Sequence, residues 1–143
     1  MLAEIKNAWG WVGLEPVEVV AVNAFGNLLI RDNGGQIWRL CPEDLSCRVV
    51  ADSEQAYASL LKDEEFTVDW EMGKLVSIAK AKLGSLKEGY RYCLKLPAIL
   101  GGDYVESNLG VVPLPQLIRF SGDMAKQIKD LPDGTQVRLK VVD

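Results

Sequence analysis

The chain has 143 residues, 48% of them hydrophobic, with 16 basic and 20 acidic side chains, no histidine and a formal net charge of −4. That length fits one domain with ample material for a core, and the missing histidine removes Ser-His-Asp and Cys-His nucleophile systems along with the commonest transition-metal ligand. No apolar run reaches the about 18 residues that read as a membrane span, and the opening MLAEIKNAWGW lacks the apolar stretch of a secretory signal, so the expectation is a soluble cytoplasmic protein.

Residues 2–12 place Leu2, Ile5, Trp9 and Val12 on one helical face and predict a short N-terminal helix that packs one or both of Trp9 and Trp11. After Pro16 the pattern VEVVAVNAF, Gly-Asn, LLIRD, Asn-Gly-Gly, QIWRL predicts a three-stranded antiparallel meander. Both links carry the Gly and Asn that two-residue hairpin turns require. Cys41-Pro42-Glu43-Asp44 ends the third strand, and LSCRVVA offers a further short one. Ser53 is a helix N-cap ahead of EQAYASLLKD, where Tyr57, Leu60 and Leu61 share a face.

Asp69 can cap a second helix, with Met72, Leu75, Val76, Ala79 and Leu83 as its apolar stripe, Lys74 and Lys82 outside, and Gly84 as its stop. Residues 90–96 alternate as a strand with one wet face, and 109–112 form another. Pro113 and Pro115 lead into a helix whose period is held by Leu114, Leu117, Ile118, Ser121, Ala125 and Ile128, with Gly122 able to bend or split it. After Pro132-Asp133-Gly134, a closing strand alternates Val137, Leu139 and Val141 with Arg138 and Lys140. The sum is an α+β fold, a single domain over residues 1–143. It is a mostly antiparallel curved sheet that begins with the three-stranded meander and has helices packed against it.

The charge is unevenly spread. Between residues 52 and 71 seven acids (Asp52, Glu54, Asp63, Glu64, Glu65, Asp69, Glu71) face one base, Lys62, whereas residues 74–143 carry 11 bases and 7 acids. Such an acidic band argues against general nucleic-acid binding, which wants a basic stripe, and suits docking of a basic protein. The bland reading is a solvated helix face. Trp70 lies inside the band and is the best exposed aromatic candidate for a partner, while Trp38 is expected to be buried.

Other candidate chemistry is weaker. Cys41, Cys47 and Cys93 are an odd number with no zinc-like spacing, which fits a reducing compartment better than a disulfide framework. Gly101-Gly102-Asp103 has neither GxGxxG nor a GK[ST] ending and reads as a tight turn rather than a phosphate cradle. Glu43 and Asp44, with Asp32 nearby, could form a carboxylate pair or a calcium site, but Pro-Glu-Asp after a strand is ordinary turn chemistry. Cys41 reads as a buried filler, since no histidine is there to activate it. No cofactor or metal is expected.

Longer blocks carry a resemblance. NAFGNLLIRDNGGQIWRLCPEDLSCRVVA, EFTVDWEM, LPAILGGDYVESNLG and FSGDMAKQIKDLPDGTQV resemble the C-terminal domain of the Tdi-type immunity proteins of bacterial type VI secretion systems, from about Trp9 to Val142. Members of that family commonly have a further N-terminal domain, and this chain is expected to begin almost at once with the shared part. The resemblance implies a cytoplasmic, non-catalytic protein that binds a cognate toxin, often a DNase, and neutralises it by occlusion. It supplies no residue-level site. Charge and expected exposure instead nominate Asp63, Glu64, Glu65, Asp69, Trp70 and Glu71 for toxin binding. A regulatory interaction module without a toxin, and an enzyme working through Glu43, Asp44 and Cys41, are the alternatives. Sequence sets no oligomeric state.

Overall fold

Four antiparallel strands, β1 (Pro16–Val22), β2 (Leu28–Asp32), β3 (Ile37–Cys41) and β4 (Ser46–Ala51), form a meander in sequence order. The structure is a computed structural model that describes residues 1–131, so the expected closing strand and its Pro-Asp-Gly turn lie outside the described residues. The helices are α1 (Leu2–Trp9), α2 (Glu54–Leu61), α3 (Glu64–Glu71), α4 (Gly73–Leu83) and α5 (Leu114–Ile128). The α+β class and the meander stand. Among the described residues the antiparallel strands fall into two ladders, since β5 (Tyr90–Leu94) and β6 (Leu109–Pro113) pair with each other and not with the meander. Tyr92 N–H donates to the Ala24 carbonyl in the β1–β2 link at 2.9 Å, so the second ladder meets the tip of a hairpin instead of the edge of a strand.

The two links of the meander are five-position loops, longer than the expected two-residue turns, and they are built alike. In the first, Asn23 N–H donates to the Asn27 carbonyl and Gly26 N–H to the Asn23 carbonyl, while Asn23 Oδ1 accepts from Phe25 and Asn27 N–H. In the second, Asp32 N–H donates to the Gln36 carbonyl and Gly35 N–H to the Asp32 carbonyl, while Asp32 Oδ1 accepts from Gly34 and Gln36 N–H. An Asx side chain organises each loop from its first position. The fourth position must take positive φ, at 70° for Gly26 and 85° for Gly35, and glycine does so without strain.

Pairing Leu28 with Leu40 and Ile30 with Trp38 puts one sheet face against α1 and α5. There Ile5, Trp9, Leu14, Leu114 and Ile118 close a core with Leu28, Ile30 and Leu40. The opposite face carries Leu29, Ile37 and Ala51 under Tyr57 of α2 and Phe66 and Trp70 of α3. Because both faces are covered, β2 opens on three consecutive buried apolar residues, Leu28, Leu29 and Ile30, rather than on an alternation. A third cluster joins Phe25 to Tyr92, Leu94, Leu109 and the α4 stripe, with Ala79 at its centre. The α5 helix runs unbroken through Gly122. A Cβ there would sit 2.4 Å from the Ala8 carbonyl oxygen, so this glycine lets α1 approach closely.

Ser53 caps α2 as expected, its hydroxyl accepting from Ala56 N–H at 3.1 Å. The next cap differs from the sequence expectation. Asp63, not Asp69, accepts from Phe66 N–H at 3.2 Å, which makes the acidic knot the start of a separate α3. That helix ends on Met72 at φ 50°, and α4 follows from Gly73 to its expected stop at Gly84.

Asn23→Ala is expected to lower the unfolding free energy in urea by roughly 2–6 kcal/mol, because two N–H groups lose their acceptor at about 1–3 kcal/mol each. Asn33→Ala, in the second loop but outside its hydrogen bonds, should change stability by less than about 0.5 kcal/mol. Equal losses from the two variants would remove the special role of Asn23.

Candidate functional site

The α3 sequence EEFTVDWE divides by helical geometry into two sides. Glu64, Glu65, Val68, Asp69 and Glu71 are exposed on one, while Phe66 and Trp70 are half-buried on the other. Trp70 is therefore not the exposed aromatic that the sequence suggests. It stacks on Phe66 with ring centroids 6.1 Å apart and packs over Leu29, Ile37 and Ala51. The exposed apolar side chain among the acids is Val68, at 66% exposure. Asp63, Glu64 and Glu65 are the residues a helix N-terminus favours, since its partial positive charge attracts them. Asp69 and Glu71 lie in the last turn of α3, where the dipole disfavours them and no base offsets them locally.

Asp69 finds its cation on the sheet face beneath α3. Arg39 Nη1 donates to Asp69 Oδ2 at 2.6 Å, and Arg39 Nε and Nη2 donate to Asn27 Oδ1 at 3.1 and 3.0 Å. The guanidinium also lies 5.9 Å from the Phe66 ring centroid and 5.3 Å from that of Trp70. Asn27, fully buried, passes the connection on, its Nδ2 donating to both carboxylate oxygens of Glu43 at 3.0 Å. The chain Asp69, Arg39, Asn27, Glu43 thus runs from the acidic helix through the sheet to the turn after β3.

Beside this chain lies a cleft of about 650 Å³, floored by Arg39, Cys41, Ser46 and Arg48 and walled by Asp44, Asp69 and Tyr104. Its origin is geometric. The α2–α3 pair covers the Leu29, Ile37 and Ala51 end of the sheet face, and the same face continues through Arg39 and Cys41 beyond that cover. The 3-10 turn at Ala98–Leu100 and the loop after it supply the far wall. Gly101 takes φ 99° there, and a Cβ on Gly102 would lie 1.8 Å from the Leu96 carbonyl oxygen. The Gly-Gly-Asp stretch is the tight turn expected of it.

The carboxylates singled out in the sequence do not form one set. Asp32 lies before the start of β3 and Glu43 after its end. Burial pushes the Asp32 carboxyl up, but the Trp38 indole N–H and the backbone N–H groups of Gln36, Gly34 and Gly35 outweigh it, leaving the group below its usual range. Both Asp32 oxygens are occupied, Oδ1 by the loop and Oδ2 by the Trp38 indole. Glu43 is buried and Asp44 exposed. Burial pushes the Glu43 carboxyl above its usual range, against the hydrogen bonds from its own backbone N–H and Asn27. Burial, then the charges of Glu43 and Asp44, push the Cys41 thiol far up, which keeps it protonated and a poor nucleophile. Burial first, and then the charges of Asp44, Glu43 and Asp69, push the Tyr104 phenol above its usual range.

Among the described residues no group of three or more metal-ligating side chains comes together, and no helix is long and apolar enough to cross a membrane. The sequence pointed to the acidic band. It did not reveal Arg39, Asn27 or Tyr104, although an arginine inside an apolar strand such as IWRLC signals that something must pair it.

Residues 51–125 match the family described as T6SS immunity protein Tdi1, C-terminal. The match runs from the last residue of β4 into α5, and it holds the acidic helix and the outer wall of the cleft. Among solved structures, the crystal structure of Atu4351 from Agrobacterium tumefaciens is similar in fold, with a TM-score of 0.56 at 16% identity. The likeness covers 84% of this chain and 61% of that one, so the chain spans about three-fifths of the length of its structural relative. No curated protein matches the chain.

The raised Glu43 group gives a pH dependence with a definite sign. The folded state holds this proton more tightly than the unfolded chain, so the group's contribution is fully present below its ordinary value of 4.5 and is lost as pH rises through the folded value. The contribution of Asp32 runs the other way but is shared by a Glu43→Gln variant and cancels. Urea unfolding should show the natural chain gaining stability on Glu43→Gln as pH falls from about 7 toward about 4.5. Parallel stability profiles would show that Glu43 titrates normally.

Proposed function

The chain belongs to the family of the type VI secretion (T6SS) immunity protein Tdi1, C-terminal, and from that premise we propose that it binds a cognate toxin and neutralises it by occlusion in the cytoplasm. The observation that carries the surface assignment is the two-sidedness of α3. Phe66 and Trp70 fasten the helix to the sheet, which leaves Glu64, Glu65, Asp69 and Glu71 side by side in solvent. Asp63 belongs to the same surface, but one of its oxygens is committed to the helix cap. Trp70 contributes by holding the helix in place, and Val68 supplies the apolar contact within the acidic patch.

A nuclease is the toxin class this surface suits. Such an enzyme is basic where it grips phosphate, and an acidic helix competes for the same groove. Summed negative charge also steers a basic partner over distances on the order of the Debye length, about 8–10 Å at physiological salt. The inhibitory role needs a stable scaffold and a complementary surface, and it asks for no metal, cofactor or catalytic group. Nucleic acid itself is not the partner in this reading.

Used as bait in lysate of its own organism under conditions that express secretion effectors, the protein is expected to capture a toxin identifiable by mass spectrometry. Co-expression should abolish that toxin's killing. Failure to recover any such protein would sink the immunity role. For the surface, Glu65→Lys with Glu71→Lys, chosen to leave the Asp63 cap intact, should slow association about tenfold at low salt and flatten its salt dependence. Association at the unaltered rate would return α3 to an ordinary solvated face.

A further inference from the structure

The cleft beside α3 carries an argument of its own. Around it stand Ile99, Tyr104 and Val50, at 61%, 46% and 36% exposure. Three large apolar side chains lining one cleft differ from the scattered exposure normal on a protein surface, and apolar contacts within a polar surround are how interface centres are made. The space of about 650 Å³ is enough to admit whole side chains of a partner.

Its charge selects among them. Three carboxylates, Glu43, Asp44 and Asp69, face two guanidiniums, Arg39 and Arg48. Arg39 and Asp69 are committed to each other, and Arg39 also to Asn27 and to two aromatic rings, which leaves Glu43 and Asp44 facing Arg48. Among the described residues no cation is hydrogen-bonded to Glu43, and the exposed Asp44 accepts from the Cys41 thiol at 3.4 Å.

We infer that this cleft seats an arginine or lysine side chain presented by a basic segment of a protein partner, its aliphatic stem against Ile99 and Tyr104 and its cationic head toward Asp44 and Asp69. That the segment belongs to the toxin rests on the immunity reading; the chemistry of the seat does not. Asp69 lies on both the cleft wall and the exposed side of α3, which makes the two surfaces continuous. The amphipathic shape of arginine and lysine matches a seat whose rim is apolar and whose wall is acidic.

The test uses the whole chain, labelled with nitrogen-15, and two capped pentapeptides, acetyl-Gly-Arg-Leu-Arg-Gly-amide and its glutamate counterpart. The arginine peptide should shift the amide signals of residues 44, 48–50, 69 and 98–104, and its binding should weaken at least about threefold between about 50 and about 200 mM salt. Asp44→Asn, an exposed change outside the core, should weaken it comparably, and Tyr104→Ala provides a second variant. The inference is overturned if the arginine peptide shifts only the outer residues of α3, shifts the surface evenly, or is matched by the glutamate peptide.

Toxin capture separates the two claims. A peptide seated in the cleft without any captured toxin supports the seat and defeats the immunity role. A captured toxin held equally well by the natural chain and by Asp44→Asn and Tyr104→Ala supports immunity and overturns the seat. An affinity loss of at least about tenfold in those variants is the expected result.

Discussion

The Asn23 side chain makes hydrogen bonds in two directions, and most of the architecture depends on them. Its carbonyl oxygen accepts from Phe25 and Asn27 N–H, which shapes the β1–β2 link, while its amide donates to the Trp70 carbonyl at 2.9 Å, which fixes where α3 ends against the sheet. Every other residue of that link is also used. Ala24 accepts from Tyr92 of the second ladder, Phe25 packs on Tyr92 at 5.7 Å, Gly26 lies against Leu117 of α5, and Asn27 joins Arg39 to Glu43. The tip of one hairpin therefore touches both sheets, α3, α5 and the turn after β3. A side chain on Gly26 would reach within 2.6 Å of Leu117 while also forcing a strained φ, so the close approach needs this glycine twice over.

The buried polar chain beyond Asn27 follows from that placement. An arginine in β3, facing the half-covered side of the sheet, must be paired, because the desolvation of an unpaired guanidinium exceeds what its aliphatic stem regains. Two aromatic faces, an amide oxygen and Asp69 meet that demand together. An amide is well suited to the middle position: Asn27 accepts from a cation on one side and donates to a carboxylate on the other, so two opposite charges are linked without direct contact. The arrangement holds Asp69 in place on a helix that is otherwise short and uncovered on its acidic side.

Local patterning made much of the fold legible. The meander, the Ser53 cap, the stripe from Met72 to Leu83, the Gly84 stop and the period of α5 each depend on neighbours in sequence, and each stands in the structure. What escaped depends on choices among equivalent signals or on distant partners. Asp63 and Asp69 are both plausible caps, and only the Phe66 and Trp70 contacts with the sheet decide that α3 begins at the first of them. The repeated pattern of an Asx residue followed three positions later by glycine, at Asn23 and Asp32, was in the sequence but reads as a shorter turn until the bonds to the side-chain oxygen are known. That β5 pairs with β6 and, among the described residues, not with the meander was not legible, since strand patterning carries no address. At the candidate site the acidic residues were visible by composition, whereas the cleft was not, because it exists only where the helical cover of a sheet stops short.

Charge that steers and charge that holds have different structural requirements, and the two kinds are segregated here. Steering works through the summed field, so Glu64, Glu65 and Glu71 can be exposed, mobile in rotamer and individually replaceable at little cost to the fold. Holding a single cationic side chain requires fixed geometry, since a loosely placed carboxylate spends in side-chain entropy what it gains in attraction. Asp69 is fixed by Arg39, and Asp44 sits in the turn that Glu43 pins to Asn27. In the proposed complex the first group sets the rate of encounter and the second the lifetime, because rim charges act mainly on association and well-placed buried contacts on dissociation. Asp69 alone belongs to both groups. A partner guided along α3 would therefore reach the cleft at the one carboxylate whose position the hairpin tip determines through Asn27 and Arg39.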